Sequence, residues 1–150
     1  MAVIGVFDFI GTVGSGWLSD RWDNRWLLAW YYGLRGLSLL WLPFSDFTIV
    51  GLSIFAVVFG LDFIATVPPT VKLCVQRFGK DKGPIVYGWI FAGHQVGGAL
   101  LAAAAGISRD MLASYLPMLF TVGIVCLLAA LSLFLLSAEH QRPEAAHSTP

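Results

Sequence analysis

The chain reads as an all-α, multi-pass transmembrane helical bundle of about five spans, and three observations predict this. Of its 150 residues 57% are hydrophobic and only 12% charged, about half the charged share of an ordinary soluble domain, and its mean hydropathy is +0.77. Apolar runs recur at 1–17, 27–44, 47–67, 85–107 and 113–137, each near the roughly 20 helical residues that a 30 Å hydrocarbon core requires. The basic residues then fall in alternate connections, as they do in chains threaded back and forth through a bilayer.

The first run, MAVIGVFDFIG, has no basic start and no cleavage signature and carries Asp8, so it reads as a helix and not as a secretory leader. Arg21 and Arg25 follow in the first connection, ahead of the second span. The second connection, PFSDFT, has no basic residue, whereas the third has Lys72, Arg77, Lys80 and Lys82. The fourth, SRDMLAS, has Arg109 alone, and the tail carries Arg142. Positive charge is retained on the cytoplasmic side, so the expected orientation in a cell (inner) membrane puts the N-terminus outside and the C-terminus in the cytoplasm. The segment 138–150 lacks apolar periodicity and is expected to be a disordered cytoplasmic tail; 1–137 forms one membrane domain.

The formal net charge is zero, so there is no electrostatic footprint for nucleic acid. Cys74 and Cys126 sit apart, in a basic connection and an apolar run, which fits neither a disulfide framework nor a metal site. No serine or metal-ligand constellation stands at catalytic spacing from the histidine of the fourth span. No enzyme, cofactor or metal is expected.

Four ionisable residues interrupt the spans: Asp8, Arg35, Asp62 and His94. An Asp or Arg at the centre of a bilayer costs about 2.5–3.5 kcal/mol on insertion scales, so each calls for a partner or a use. Counted from the basic ends of their spans they lie at closely similar depths, about 12–15 Å at 1.5 Å per residue, near the midplane where transporters place substrate and coupling-ion sites. Each has two readings. Asp8 is a proton or substrate residue, or the structural partner of Arg35; Arg35 pairs structurally, with Asp8 or Asp62, or binds an anion. Asp62 stands near Pro68 and Pro69, which suggest a helix bend whose freed carbonyls line a cavity. His94, followed by Gln95, either exchanges protons near neutral pH or bonds a neighbouring helix. The small residues around Gly93, Gly97 and Gly98, including Gly93-x-x-x-Gly97, predict close helix packing.

The stretch GSGWLSDRWDNRW places Gly16, Leu18, Asp20, Arg21 and Arg25 as G-x-L-x-D-R-x-x-x-R directly after a span. Gly16 permits close approach of helices, Asp20 can cap the next helix, and Trp17, Trp22 and Trp26 suit the headgroup interface. This pattern resembles the loop signature of the major facilitator superfamily. Asp23 and Asn24 stand where that family has Gly and a basic residue, so the stretch is similar to the degenerate second copy, between helices eight and nine. YYGLRGLSLLWLP, GLDFIATVPPT and FGKDKGPIVYGWIFAGHQVGGAL resemble helices nine to eleven of bacterial members near the monocarboxylate branch. The resemblance covers about residues 1–137 and implies a partial major facilitator fold, helices eight to twelve of twelve. The chain would then be a truncated secondary transporter, completed by an N-terminal half, that carries a small solute with protons by alternating access. That branch has an arginine four residues after its eighth-helix aspartate; here Asp8 is followed by Thr12, which leaves an organic anion as the solute class without naming it. The competing expectation is a membrane assembly or accessory protein whose midplane charges select partner helices.

Overall fold

The computed structural model describes residues 2–45 and 48–140, all helix and short connections. The order is α1 (Ala2–Ser19), α2 (Asn24–Trp41), a 3-10 turn (Leu42–Ser45), α3 (Ile49–Phe63), α4 (Val67–Leu112) and α5 (Leu116–His140). Two stretches are long and apolar enough to cross a membrane by length and composition, Ile49–Leu112 and Leu116–Leu135. At 18 residues each, α1 and α2 are about 27 Å long.

α4 is two helices joined at Gly79, whose φ of 81° and ψ of 172° are non-helical. The chain doubles back there. A Cβ on Gly83 would lie 2.7 Å from the Cα of Val75, whereas residues eight apart in a continuous helix are separated by about 12 Å. The positive φ is one that glycine adopts without steric cost. Ile49–Phe63 and 67–78 therefore form one traverse interrupted at 64–66, and 80–112 forms the return. The third run was expected to end at 67; helix continues to Phe78, because Pro68 and Pro69 fall in the first turn of α4, where the missing N–H groups have no intrahelical acceptor to lose.

α2 packs along α5 and α1 along α3, and α4 touches α1 and α2. Glycines set both crossings. A Cβ on Gly36 would lie 2.9 Å from the Gly123 carbonyl oxygen, and one on Gly123 2.7 Å from Leu40 Cγ. On the other crossing a Cβ on Gly60 would lie 2.8 Å from the Ile4 carbonyl oxygen, and one on Gly11 would overlap the backbone of Leu61. Gly93, Gly97 and Gly98 were the glycines expected to bring helices together; within this chain a Cβ on any of them meets nothing within 4 Å. The reason is that the return helix stands clear of the bundle: from Pro84 to Met111 only Ser108 is buried.

Other boundaries also differ from expectation. α4 runs on to Leu112, beyond 107, and α5 to His140, so 138–140 is helical and not part of a disordered tail. Arg142 and the rest of the tail lie outside the described residues, as do Met1, Asp46 and Phe47.

Candidate functional site

The Ile64–Thr66 interruption is where Asp8, Ser15, Arg35 and Asp62 converge. A helix end leaves its last carbonyls, and the next helix its first N–H groups, without intrahelical partners, and in hydrocarbon no water is present to satisfy them. Arg35, on α2, donates from Nη2 to the carbonyls of Asp62 (2.6 Å) and Phe63 (3.1 Å). Its Nε donates to Asp62 Oδ2 at 2.9 Å, forming an ion pair whose side chains are 11% and 4% exposed. Asp8, on α1, accepts from the backbone N–H of Ile64 at 3.0 Å. Ser15, one of the most deeply buried side chains, donates to the Ala65 carbonyl. The break is thus tied to both neighbouring helices by three side chains.

The arginine's partner is Asp62. Arg35 lies eleven residues from the start of α2 and Asp8 eleven from the end of α1, so both stand about 16 Å from the same end of the bundle. Equal height let Asp8 be paired with Arg35 in the sequence; the azimuth of the helices gives the guanidinium to Asp62 and turns Asp8 to the break. Pro68 and Pro69 lie just beyond that break. Asp62 Oδ1 has no hydrogen-bond partner, the sole buried side-chain oxygen or nitrogen so placed among the described residues. One guanidinium and two carboxylates surround residues 62–65, so with all three ionised the cluster carries an excess negative charge.

His94 is elsewhere. It sits exposed on the return helix and does not join Asp8, Arg35 and Asp62. Ser15 was not singled out from the sequence, although a serine between two glycines inside an apolar run is a detectable signal of a buried backbone contact.

The loop signature forms one end of the bundle. Asp23, not Asp20, caps α2, accepting from the Arg25 N–H at 2.9 Å. Asn24 is buried and accepts from Ser19 Oγ at 2.8 Å. The two departures from the family pattern therefore serve the local turn. Asp20 instead pairs with Lys72 of α4. Arg21 lies over the Trp17 ring, 3.8 Å from its centroid, and Gly16 meets no neighbour within 4 Å of a Cβ. Arg21, Arg25, Lys72, Arg77, Lys80 and Lys82 all belong to this end, whereas Arg109 lies at the other, donating to the Ala113 carbonyl.

Apolar helices crossing at glycines, with an ion pair and a helix break at mid-length, make up a polytopic membrane protein of the transport class. The chain belongs to the Major Facilitator Superfamily, whose profile matches residues 1–150; this is a family of membrane transporters, not enzymes. It is similar to the uncharacterized MFS-type transporter YcxA of Bacillus subtilis strain 168, 33% identical over 124 residues that cover 77% of this chain and 30% of that protein. It is also similar to monocarboxylate transporter 13 of Rattus norvegicus, 29% identical over 118 residues that cover 77% of this chain and 27% of that protein. The chain thus spans about three tenths of the length of these relatives. No solved structure matches it.

Proposed function

We propose that this chain works as part of a proton-coupled secondary transporter for a small organic anion such as a carboxylate, by alternating access with a half that supplies helices one to seven. The observation that carries the reading is the excess carboxylate at the α3–α4 break. An unpaired negative charge in a low-dielectric interior is costly and is removed most cheaply by binding a proton. Asp8 and Asp62 are the carboxylates that exchange it, at the depth where such proteins hold coupling ions. Arg35 is occupied by three acceptors, so in this arrangement it holds the break, and the cation that meets the solute comes from the other half. The carboxylate class is supported by the name of the rat relative.

The return helix supports the need for a second half, since its apolar surface, with His94 and the Gly93, Gly97 and Gly98 face, is left uncovered by this chain. His94 would then line the path from that side. Five spans, with the basic end cytoplasmic and the N-terminus outside, complete the reading; the charge asymmetry of the connections supports the orientation.

The test is co-expression with a polypeptide carrying helices one to seven, followed by uptake of labelled monocarboxylates into vesicles under an imposed proton gradient. Asp8→Asn is expected to abolish gradient-driven uptake while sparing solute exchange at equal pH, and Asp62→Asn and His94→Gln to shift the pH dependence. Unchanged uptake and pH dependence in Asp8→Asn and Asp62→Asn would remove the basis for proton coupling at this cluster.

A further inference from the structure

The basic end of the bundle holds a cavity of about 770 Å³ that the transport reading does not use. Its lining divides by chemistry. Arg25 from the start of α2 and Arg77 and Gln76 from the first half of α4 supply its polar side, and Leu73, Ile90 and Leu133, from three different helical segments, supply an apolar floor. Asp23 is also at the rim, but its carboxylate is engaged in capping α2. Arg77 is exposed and has no ion-pair or hydrogen-bond partner among the described residues.

We propose that this cavity is a binding site for an anionic phospholipid, with the headgroup phosphate between Arg25 and Arg77 and the glycerol and upper acyl chain on Leu73, Ile90 and Leu133. Charge complementarity selects the headgroup, because Arg25, which also has a contact of its own, and Arg77 both line the cavity. Arginine suits phosphate by presenting paired donors in a planar fork. The floor selects a lipid over a free anion, since a soluble phosphate leaves that apolar surface wet. Basic pockets between membrane helices at the positively charged end are a physically favoured seat for such headgroups.

The experiment titrates the purified full chain in detergent with phosphatidylglycerol and counts retained lipid by native mass spectrometry. Phosphatidylcholine and glycerophosphate form the comparison arms. Phosphatidylglycerol is expected to be retained in preference to phosphatidylcholine, with glycerophosphate a poor competitor. Each arginine near an anionic headgroup is worth about fivefold in affinity, so Arg25→Gln with Arg77→Gln should weaken retention about 25-fold. Lys80→Gln with Lys82→Gln removes equal charge from the same end outside the cavity and should change it less than threefold. Leu133→Trp fills the floor without altering charge and should also block retention, which keeps the proposal testable if the arginine variants fold poorly. Equal loss in the two double variants would show a diffuse surface effect and overturn the site. Equal retention of phosphatidylcholine, or competition by glycerophosphate at the concentration of the lipid, would overturn the occupant.

Discussion

Replacing Arg35 tests whether the buried ion pair or the helix break is what this residue stabilises. Arg35→Leu deletes one charge-assisted bond to Asp62 and two bonds to the carbonyls of Asp62 and Phe63. It leaves a carboxylate that is 4% exposed with no partner on either oxygen, since Oδ1 already has none. Removing one member of a buried pair costs about 3–5 kcal/mol. Asp62→Asn is a milder change, because the amide oxygen still accepts from Nε and both carbonyl bonds remain; only the charge assistance is lost, about 1–2 kcal/mol. Arg35→Leu combined with Asp62→Leu removes the orphaned charge and should recover part of the Arg35→Leu loss, short of the wild type because the two carbonyls stay unsatisfied. The expected order of destabilisation is Asp62→Asn, then the double variant, then Arg35→Leu. Thermal unfolding in mild detergent, followed by tryptophan fluorescence, reads this directly. With about 2–4 °C per kcal/mol for a chain of this size, Arg35→Leu should lower the midpoint by about 10 °C. If Asp62→Asn proved as damaging as Arg35→Leu, the arginine would act through charge alone and the clamp on the break would have no energetic content.

Three further outcomes follow from the packing and the basic end. Gly36→Ala and Gly123→Ala place a Cβ against backbone or a branched side chain under 3 Å away and should each cost about 1–3 kcal/mol by overpacking. Gly97→Ala meets nothing within 4 Å and should be neutral or stabilising by up to about 1 kcal/mol through helix propensity in the same unfolding assay; a loss appearing only when helices one to seven are co-expressed would identify that glycine face as a contact with the other half. Lys72→Ala breaks an ion pair to Asp20 whose side chains are 34% and 71% exposed, so it should cost less than about 1 kcal/mol. That difference should vanish in 1 M salt, where the Debye length falls to about 3 Å, while the Arg35→Leu loss should persist.

Much of the architecture was readable from the residues because the bilayer imposes a one-dimensional code. Apolar run length sets helix length, and counting from the basic connections put Asp8, Arg35, Asp62 and His94 at closely similar heights; the first three meet at residues 62–65, and His94 stands apart on the return helix. Counting fails where a helix is interrupted: Pro68 and Pro69 marked the place of the break, yet the continuation to Phe78 depends on how the chain is satisfied on either side of it. Spacing offered Asp20 as the cap of α2, but Asp23 takes that place, and the difference lies in where Lys72 arrives to pair with Asp20 from a helix fifty residues away. The glycines that pack helices within this chain lie elsewhere for a similar reason. Gly93-x-x-x-Gly97 has the spacing for close approach, but a motif on one helix says nothing about whether a second helix is there, and the approach occurs at Gly11, Gly36, Gly60 and Gly123.

By itself, then, the amino-acid order determined the apolar surroundings, the helical class, the charged end and the matching heights of Asp8, Arg35 and Asp62 along their helices, since transfer free energy and helical rise act along the chain one residue at a time. Only the tertiary structure decided that Asp62 holds Arg35, that Asp8 and Ser15 bond the break, and that Arg25 and Arg77 line one cavity with Leu73, Ile90 and Leu133 at the bundle's end. Those outcomes depend on the rotation of each helix about its axis and on which helices are neighbours, and glycine contacts and the hydrogen bonds of an unwound segment fix these between parts of the chain far apart in sequence.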